Sequence, residues 1–379
     1  LDEEKIKRNS NFYDYGADSL VIAKAATKLR SYLNLNIPFD VLLRAIINKP
    51  TIIGIEEFIS KYSELPSEDI SFDNDFIYTK FYKSKETSSQ KRLRVLVHGN
   101  FGDLNSFNNL AKELSEQSNG DILVIEYMDT ETYMEIESKD IVPYLADIFT
   151  NKIRKLNYEH YQIIGYCFSG LLAIEIARRL SEQGFVIDDL AVIEGGTVPS
   201  KKIDELLIEF VFIKAFNIEL SDLGFFEYKF MEKLTGDFGK NEITISKALD
   251  CLTNDGDRNR LLELNEMSKD NRFKYYYDLI SKKNSDFKIN INSLRDSYNI
   301  YVKSANSQMY QTEMYFGDIN CYLAKDNQGG YRYIEHYLDS WEEIIIGQFN
   351  KHYLPGDHYS IIEDEKNMKI LAKYLKCFE

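Results

Sequence analysis

The sequence is short of cysteine, histidine and positive charge and has no long apolar run, and each shortage removes a class of function. Its 4 cysteines, Cys167, Cys251, Cys321 and Cys377, are scattered through 379 residues. None belongs to a C-x-x-C pair, which argues against a zinc site or a disulfide framework and for a reducing compartment, the cytoplasm. Against 61 Asp and Glu the chain has 46 Lys and Arg, a formal net charge of −15. Binding a phosphate backbone takes clustered cations, so nucleic acid is not an expected partner. No stretch reaches the roughly twenty apolar residues that cross a bilayer, so no membrane span is expected. The chain opens Leu1-Asp-Glu-Glu-Lys5, neither a signal peptide nor an initiator methionine, and reads as a piece of something longer.

What is present is enough for a sizeable core, 44% hydrophobic residues with Phe and Tyr abundant, in a length that fits two domains. In the first sixty residues, Phe12-Tyr-Asp-Tyr-Gly-Ala-Asp-Ser-Leu20 ends a polar loop and opens a helix. Leu20, Ala23, Ala26, Leu29 and Leu33 follow at helical spacing. The simplest reading of Ser19 is an N-cap. The run also resembles the attachment site of acyl and peptidyl carrier domains, where Asp-Ser-Leu marks the serine that receives a phosphopantetheine arm. Pro38-Phe-Asp-Val-Leu-Leu43 and Pro50 to Ile59 resemble the later short helices of that family. The resemblance implies a small all-α helical bundle over residues 1–62, with 4'-phosphopantetheine covalently attached to Ser19. It also implies a phosphopantetheinyl transferase and upstream synthase modules as partners. A helix N-terminus suits an attached phosphodiester through its unpaired amides and dipole. The family's first helix would precede Phe12, and Leu1 to Ser10 is too short and polar to supply it. Residues 63–75, polar and acidic, read as a linker.

Beyond the linker, with an edge strand expected from Phe76 to Tyr82, short apolar runs alternate with amphipathic stretches. Leu93 to Val97, Ile122 to Tyr127, Tyr161 to Ile164 and Leu190 to Glu194 read as strands of a parallel sheet covered on both faces. Such a sheet carries its active site at the strands' carboxyl ends. Residues 197–312 change to helical, aromatic-rich segments that read as a lid. Strand character returns at Asp318 to Ala324, Trp341 to Ile346 reads as a helix, Pro355 to His358 as a loop, and Asn367 to Leu375 as a closing amphipathic helix.

The third apolar run ends in Gly165-Tyr-Cys-Phe-Ser-Gly170, a variant of G-x-S-x-G with Cys167 in place of Ser and Ser169 in place of the second Gly. This is the pattern of a nucleophile elbow, in which a strained strand-to-helix turn lifts the nucleophile to the top of an α/β-hydrolase sheet. The bland alternative is that Cys167 is a small buried hydrophobe. Ser169 is a rival nucleophile. A thiol nucleophile needs a base, and the base an orienting acid. His358, in a Gly-Asp-His loop before the last helix, is the best placed base. His98 lies at the end of the first run and could also reach the site, while His160, His336 and His352 lack support. Glu194 ends the strand after the elbow and points at the site, whereas Asp188 and Asp189 lie at that strand's far end. The order nucleophile, acid, histidine is that of α/β-hydrolases.

From about Arg92 to Glu379 the chain resembles the terminal thioesterases of nonribosomal peptide and polyketide synthases. That resemblance implies an α/β-hydrolase fold with a helical lid over residues 76–379 and a triad of Cys167, His358 and Glu194. The oxyanion hole would be the backbone amides of Phe168 and Asn100, with Phe101 as the other candidate donor. The implied activity takes an acyl or peptidyl thioester from Ser19 onto Cys167 and releases it by cyclisation or hydrolysis. An acyltransferase passing the chain to a separate amine, alcohol or thiol, and a non-catalytic carrier and docking module, are the alternatives.

Overall fold

The computed structural model describes residues 7–17, isolated positions between 21 and 47, then 49–64, 77–83, 91–98, 104–117, 120–127, 130–196, 203–227, 230–235, 242–283, 290–308, 310–326, 338 and 341–375. Ser19, Asn100, Phe101, His336 and Cys377 lie outside them, as does the linker beyond Glu64. The chain divides into two compact units, Leu1–Ser67 with Ile280–Asn290, and Glu68–Leu279 with Ile291–Glu379.

In the first unit, Asn11 accepts from the Tyr13 amide to start a 3-10 turn, Phe12–Tyr15, which Gly16 ends at φ 80°. No atom lies within 4 Å of a Cβ built on Gly16, so it is the left-handed backbone and not crowding that calls for glycine. Helix α1 (Ile52–Glu64) starts where the Thr51 hydroxyl accepts from the Gly54 amide at 3.0 Å. Ala17, Ile22, Ala26, Leu42, Ile46 and Ile55 bury together as a small apolar core.

The second unit begins with β1 (Ile77–Tyr82) and β2 (Arg92–His98), followed by α2 (Leu104–Gln117), β3 (Asp121–Tyr127), α3 (Thr130–Glu135) and α4 (Ser138–Arg154). Next come β4 (His160–Tyr166), α5 (Phe168–Glu182) and β5 (Val186–Ile193). Six helices then intervene: α6 (Glu205–Lys214), α7 (Phe230–Thr235), α8 (Ile245–Cys251), α9 (Asp255–Glu266), α10 (Lys269–Lys283) and α11 (Ile291–Ser307). The chain closes with β6 (Ile319–Ala324), β7 (Phe349–Leu354), α12 (Ser360–Glu363) and α13 (Glu365–Tyr374). The sheet order is β1-β3-β2-β4-β5-β6-β7, parallel except for β1, which pairs antiparallel with β3. The chain runs from β2 outward to β3 and returns to place β4 on the other side of β2. The carboxyl ends of β2 and β4 therefore flank a topological switch point, the position at which such sheets bind ligands.

Alternation along the strands decides which helices cover which face. Val95, Ile125, Ile163, Val192 and Cys321 face α4 and α5 in the main apolar core. The opposite face carries a polar row that anchors the end of α13. Arg94, fully buried, donates from Nε to Gln162 Oε1 at 2.6 Å, and Gln162 donates onward to Asp189 at 2.7 Å and to the Leu375 carbonyl at 2.8 Å. Helix α5 is apolar nearly all round because it is sandwiched between sheet and α4. Its one buried acid, Glu175, accepts from Arg178, Arg179 and the Thr312 hydroxyl. Burial alone would raise that carboxyl, but the hydrogen bonds from Arg178, Thr312 and Arg179 win and hold it down at about 2. A lowered carboxyl pKa contributes stability that is complete above the unfolded value of about 4.5 and fades as pH falls toward 2. Acid unfolding followed by near-UV circular dichroism should therefore show a limb in that window, and Glu175→Gln should flatten it.

One sequence expectation is corrected here, and one strand was not foreseen. Trp341 to Ile346 is no helix: after Trp341 and Glu342 the chain turns and bridges Ile345 to Tyr315. Trp341 is fully buried, and its ring tip lies 3.5 Å from a Cβ built on Gly170. The apolar spacing of this stretch thus reflects a buried turn. Strand β7 had no signal, because Phe349-Asn-Lys-His-Tyr-Leu354 is an edge strand with three polar residues in its middle and neither an apolar run nor a clean alternation. No helix among the described residues is long and apolar enough to cross a membrane.

Candidate active site

Cys167 stands between β4 and α5 with φ 53° and ψ −121°, a conformation that costs a non-glycine residue on the order of 1–3 kcal/mol. The surroundings enforce it. The Cys167 amide donates to the Ile193 carbonyl at 2.9 Å, and its carbonyl accepts from the Gly170 amide at 3.0 Å. A Cβ on Gly165 would lie 2.2 Å from the Ser169 carbonyl oxygen, and one on Gly195 would lie 2.9 Å from the Cys167 carbonyl oxygen. Glycine at both positions is thus the condition for the turn to close. The result is a thiol at the N-terminus of a 15-residue helix, where the dipole favours negative charge.

Ser169 is used by the turn itself. Its hydroxyl accepts from the Tyr166 amide at 3.1 Å and donates to the Tyr166 carbonyl at 2.7 Å, and the residue is 1% exposed. Its proton is committed to a backbone carbonyl, which counts against it as the rival nucleophile.

Glu194 follows β5 with φ 49°, held by its amide donating to the Tyr322 carbonyl at 2.9 Å. Its carboxylate is buried and used in two directions. Oε1 accepts from the Ala324 amide at 2.6 Å, and Oε2 lies 3.2 Å from His358 Nδ1. With Nδ1 facing Glu194, Nε2 is the ring nitrogen left for Cys167, and the imidazole is hydrogen-bonded to that side chain as well. The histidine loop is built by Asp357, whose Oδ1 accepts from the Tyr359 amide at 3.2 Å, the Ser360 amide at 2.8 Å and the Ser360 hydroxyl at 2.7 Å. Gly356, at φ 103°, enters this turn.

The electrostatics follow from the contacts. Burial pulls the His358 imidazolium down. The charge and hydrogen bond of Cys167, with the hydrogen bond and charge of Glu194, more than reverse this and carry it up to about 10. A cysteine beside an imidazole braced by a carboxylate is an arrangement that can attack an activated carbonyl. Phe168 opens α5, so its amide is among those a helix leaves without an internal acceptor. The aromatic lid adds Tyr301 of α11, whose ring packs 5.5 Å from Phe212 of α6. Burial, then the neighbouring Tyr359 and Cys167 charges, push its phenol well above the usual range.

The structure thus brings Cys167, His358 and Glu194 together, with Phe168 beside them. Asn100, Phe101 and Ser19 are outside the described residues, and so is the side chain of His98. His160 has a partner the sequence did not suggest, Asp188 at 3.0 Å, and His352 stacks on Tyr322 with centroids 5.0 Å apart. Sequence reasoning missed Asp357 and Tyr166. Asp357 sat in plain view inside the Gly-Asp-His loop; the signal for Tyr166 was its place immediately before Cys167. Among the described residues no group of three or more His, Cys, Asp or Glu could hold a metal ion.

Residues 95–203 match the family described as thioesterase domain, and residues 1–59 match that described as phosphopantetheine attachment site. The chain carries a carrier domain and a thioesterase domain. The carrier domain indicates a covalently attached 4'-phosphopantetheine. Ser19 itself is not described, but the left-handed Gly16 precedes it and buried Ile22 and Ala26 follow at helical spacing. The chain is 25% identical over 243 residues to pyochelin synthetase PchF of Pseudomonas aeruginosa, covering 59% of this chain and 13% of that protein. It is 26% identical over 195 residues to bacitracin synthase 3 of Bacillus licheniformis, covering 51% and 3%. It therefore spans a small part of either relative. A crystal structure of holo-AB3403, a four-domain nonribosomal peptide synthetase bound to AMP and glycine, aligns with 98% of this chain and 24% of its own, at 19% identity and a TM-score of 0.53. That likeness speaks for the fold.

Proposed function

We propose that this chain is the carrier and terminal thioesterase of a nonribosomal peptide or hybrid polyketide synthase, with Cys167 as nucleophile, His358 as base and acid, and Glu194 as the orienting carboxylate. A phosphopantetheine arm on Ser19 presents the acyl chain as a thioester. The Cys167 thiolate adds to that carbonyl carbon, and the oxyanion is received by the backbone amides of Phe168 and Asn100, together contributing several kcal/mol. As the carbon–sulfur bond to the arm breaks, the His358 imidazolium protonates the departing sulfur. Neutral His358 then takes a proton from the incoming nucleophile and returns the pair to its starting state, while Glu194 holds the ring throughout.

The observation that carries this reading is the continuous line Cys167–His358–Glu194, drawn from the ends of β4, β5 and β7 and anchored at a strained turn. The acyl enzyme formed is itself a thioester, nearly as activated as the one it replaces. That supports release by a demanding step, ring closure or attack by a weak nucleophile, and the aromatic lid around Phe212 and Tyr301 supports it further by excluding water. The partners on this reading are the upstream synthase modules that deliver the chain and the transferase that installs the arm.

Peptide-level mass spectrometry after loading Ser19 with an acyl-phosphopantetheine arm tests the route. In wild type the acyl group should be found on the Cys167 peptide with the arm on Ser19 free, in Cys167→Ala it should stay on the arm, and Ser19→Ala should carry neither arm nor acyl group. Acylation that stops at Ser19 in wild type across a panel of acyl groups would sink the proposal.

A further inference from the structure

We infer that Tyr166 is a positioning residue that holds His358 against Cys167, so that the side chain just before the nucleophile also places its base. The inference rests on the catalytic reading above. Tyr166 and His358 are 192 residues apart in sequence, yet the Tyr166 phenol donates to the His358 backbone carbonyl at 2.6 Å. Its ring also lies over the imidazole, with centroids 5.3 Å apart and planes inclined by 32°. One side chain therefore fixes both the backbone of the histidine turn and the plane of the ring.

The other end of this strut is equally fixed. Tyr166 is the last residue of β4, and the Ser169 hydroxyl grips its amide and its carbonyl. Phe107 of α2 packs on the ring with centroids 6.2 Å apart. The strand end that sets the Cys167 turn thus also carries the group that tethers His358. To the 3.2 Å contact of Nδ1 with Glu194, Tyr166 adds a restraint on the ring and one on the histidine backbone, which together favour the orientation with Nε2 toward sulfur. Burial, then the nearby Cys167, Tyr359 and Glu194 charges, push the phenol well above its usual range, so it remains a donor wherever the enzyme works. The titratable groups that face His358 among the described residues are Cys167, Glu194, Tyr166 and Tyr359, the last with its ring centroid 5.2 Å away.

Alkylation of Cys167 by iodoacetamide reads this geometry without knowledge of the substrate, because the rate reports the thiolate that the imidazolium maintains. Wild type should alkylate nearly as fast at about pH 6.5 as at about pH 9. Tyr166→Phe keeps the ring and loses one buried hydrogen bond. It should slow the reaction at the lower pH by roughly five- to tenfold and leave the upper limb in place. In a His358→Ala background the same substitution should have no effect, which separates positioning from general loosening. Thermal unfolding of each variant checks that the fold persists. A wild-type protein whose Cys167 behaves as an ordinary thiol overturns the catalytic reading. A wild-type profile that is flat and unchanged in Tyr166→Phe, or an equal Tyr166→Phe effect with and without His358, overturns this inference alone.

Discussion

Cys167→Ser is expected to slow release of the acyl chain by roughly 10²-fold or more, with loading of the carrier unaffected, measured as product per unit time and as acyl mass remaining on protein. The reason lies in His358 as much as in sulfur. In the native site burial pulls the imidazolium down while Cys167 and Glu194 together hold it up at about 10. A serine hydroxyl supplies no charge. Burial then opposes Glu194 alone, and the histidine must lose its proton before it can act as base. Turnover by the variant should consequently rise with pH through the titration of His358, while wild type is flatter. The acyl group would also rest on oxygen as an ester less activated than a thioester, so a larger share of the variant than of wild type should stand as acyl-enzyme. The same product at an undiminished rate would refute the idea that sulfur keeps the chain activated.

Much of this arrangement could be read in the sequence, for reasons that differ from element to element. The strands before and after the elbow are short apolar runs because both their faces are covered, and a fully buried strand leaves a plain signal. Gly165 and Gly170 marked the turn because neither place admits a Cβ, which would lie 2.2 Å from the Ser169 carbonyl oxygen at the first and 2.6 Å from Val192 Cγ1 at the second. Strand β7 gave nothing, since an edge strand with Asn350, Lys351 and His352 in its middle has neither an apolar run nor a clean alternation. Trp341-Glu-Glu-Ile-Ile-Ile346 misled in the opposite sense: Trp341 and Ile345 are buried by a turn that bridges to Tyr315, a tertiary contact that no local period encodes. At the candidate site, Cys167 and Glu194 drew notice because each directly follows a strand, and His358 because it lies in a Gly-Asp-His loop before the last helices. Tyr166 and Asp357 were not, because their roles are hydrogen bonds to backbone atoms, and any residue offers the same carbonyl or amide. Ser169 shows the same limit: a hydroxyl two residues past the apex invites a chemical reading until its two bonds to Tyr166 are seen.

Glu194→Gln should be nearly as damaging to turnover as loss of the histidine, roughly 10²- to 10⁴-fold, even though it preserves length and volume. The carboxylate accepts at both oxygens, from the Ala324 amide and from His358 Nδ1. A glutamine has one acceptor. If its carbonyl oxygen stays with Ala324, its amide N–H group confronts the Nδ1–H, and the imidazole must flip its tautomer or swing away. If the carbonyl instead serves His358, two N–H groups meet at Ala324, in a site where Glu194 is 5% exposed and water cannot intervene. Either choice leaves a buried donor unsatisfied and removes a negative charge that helps keep His358 protonated. Glu194→Asp has two acceptors and the charge but is shorter by one methylene, so it can satisfy Ala324 or His358 without reaching both. It should therefore fall between wild type and the amide. The discriminating measurement is the pH profile of acyl transfer: for Glu194→Gln the inflection due to His358 should move down from about 10 toward the ordinary histidine value. A Glu194→Gln enzyme with full activity and an unmoved profile would mean that the carboxylate is structural, and that Tyr166 and the Asp357 turn orient the histidine without it.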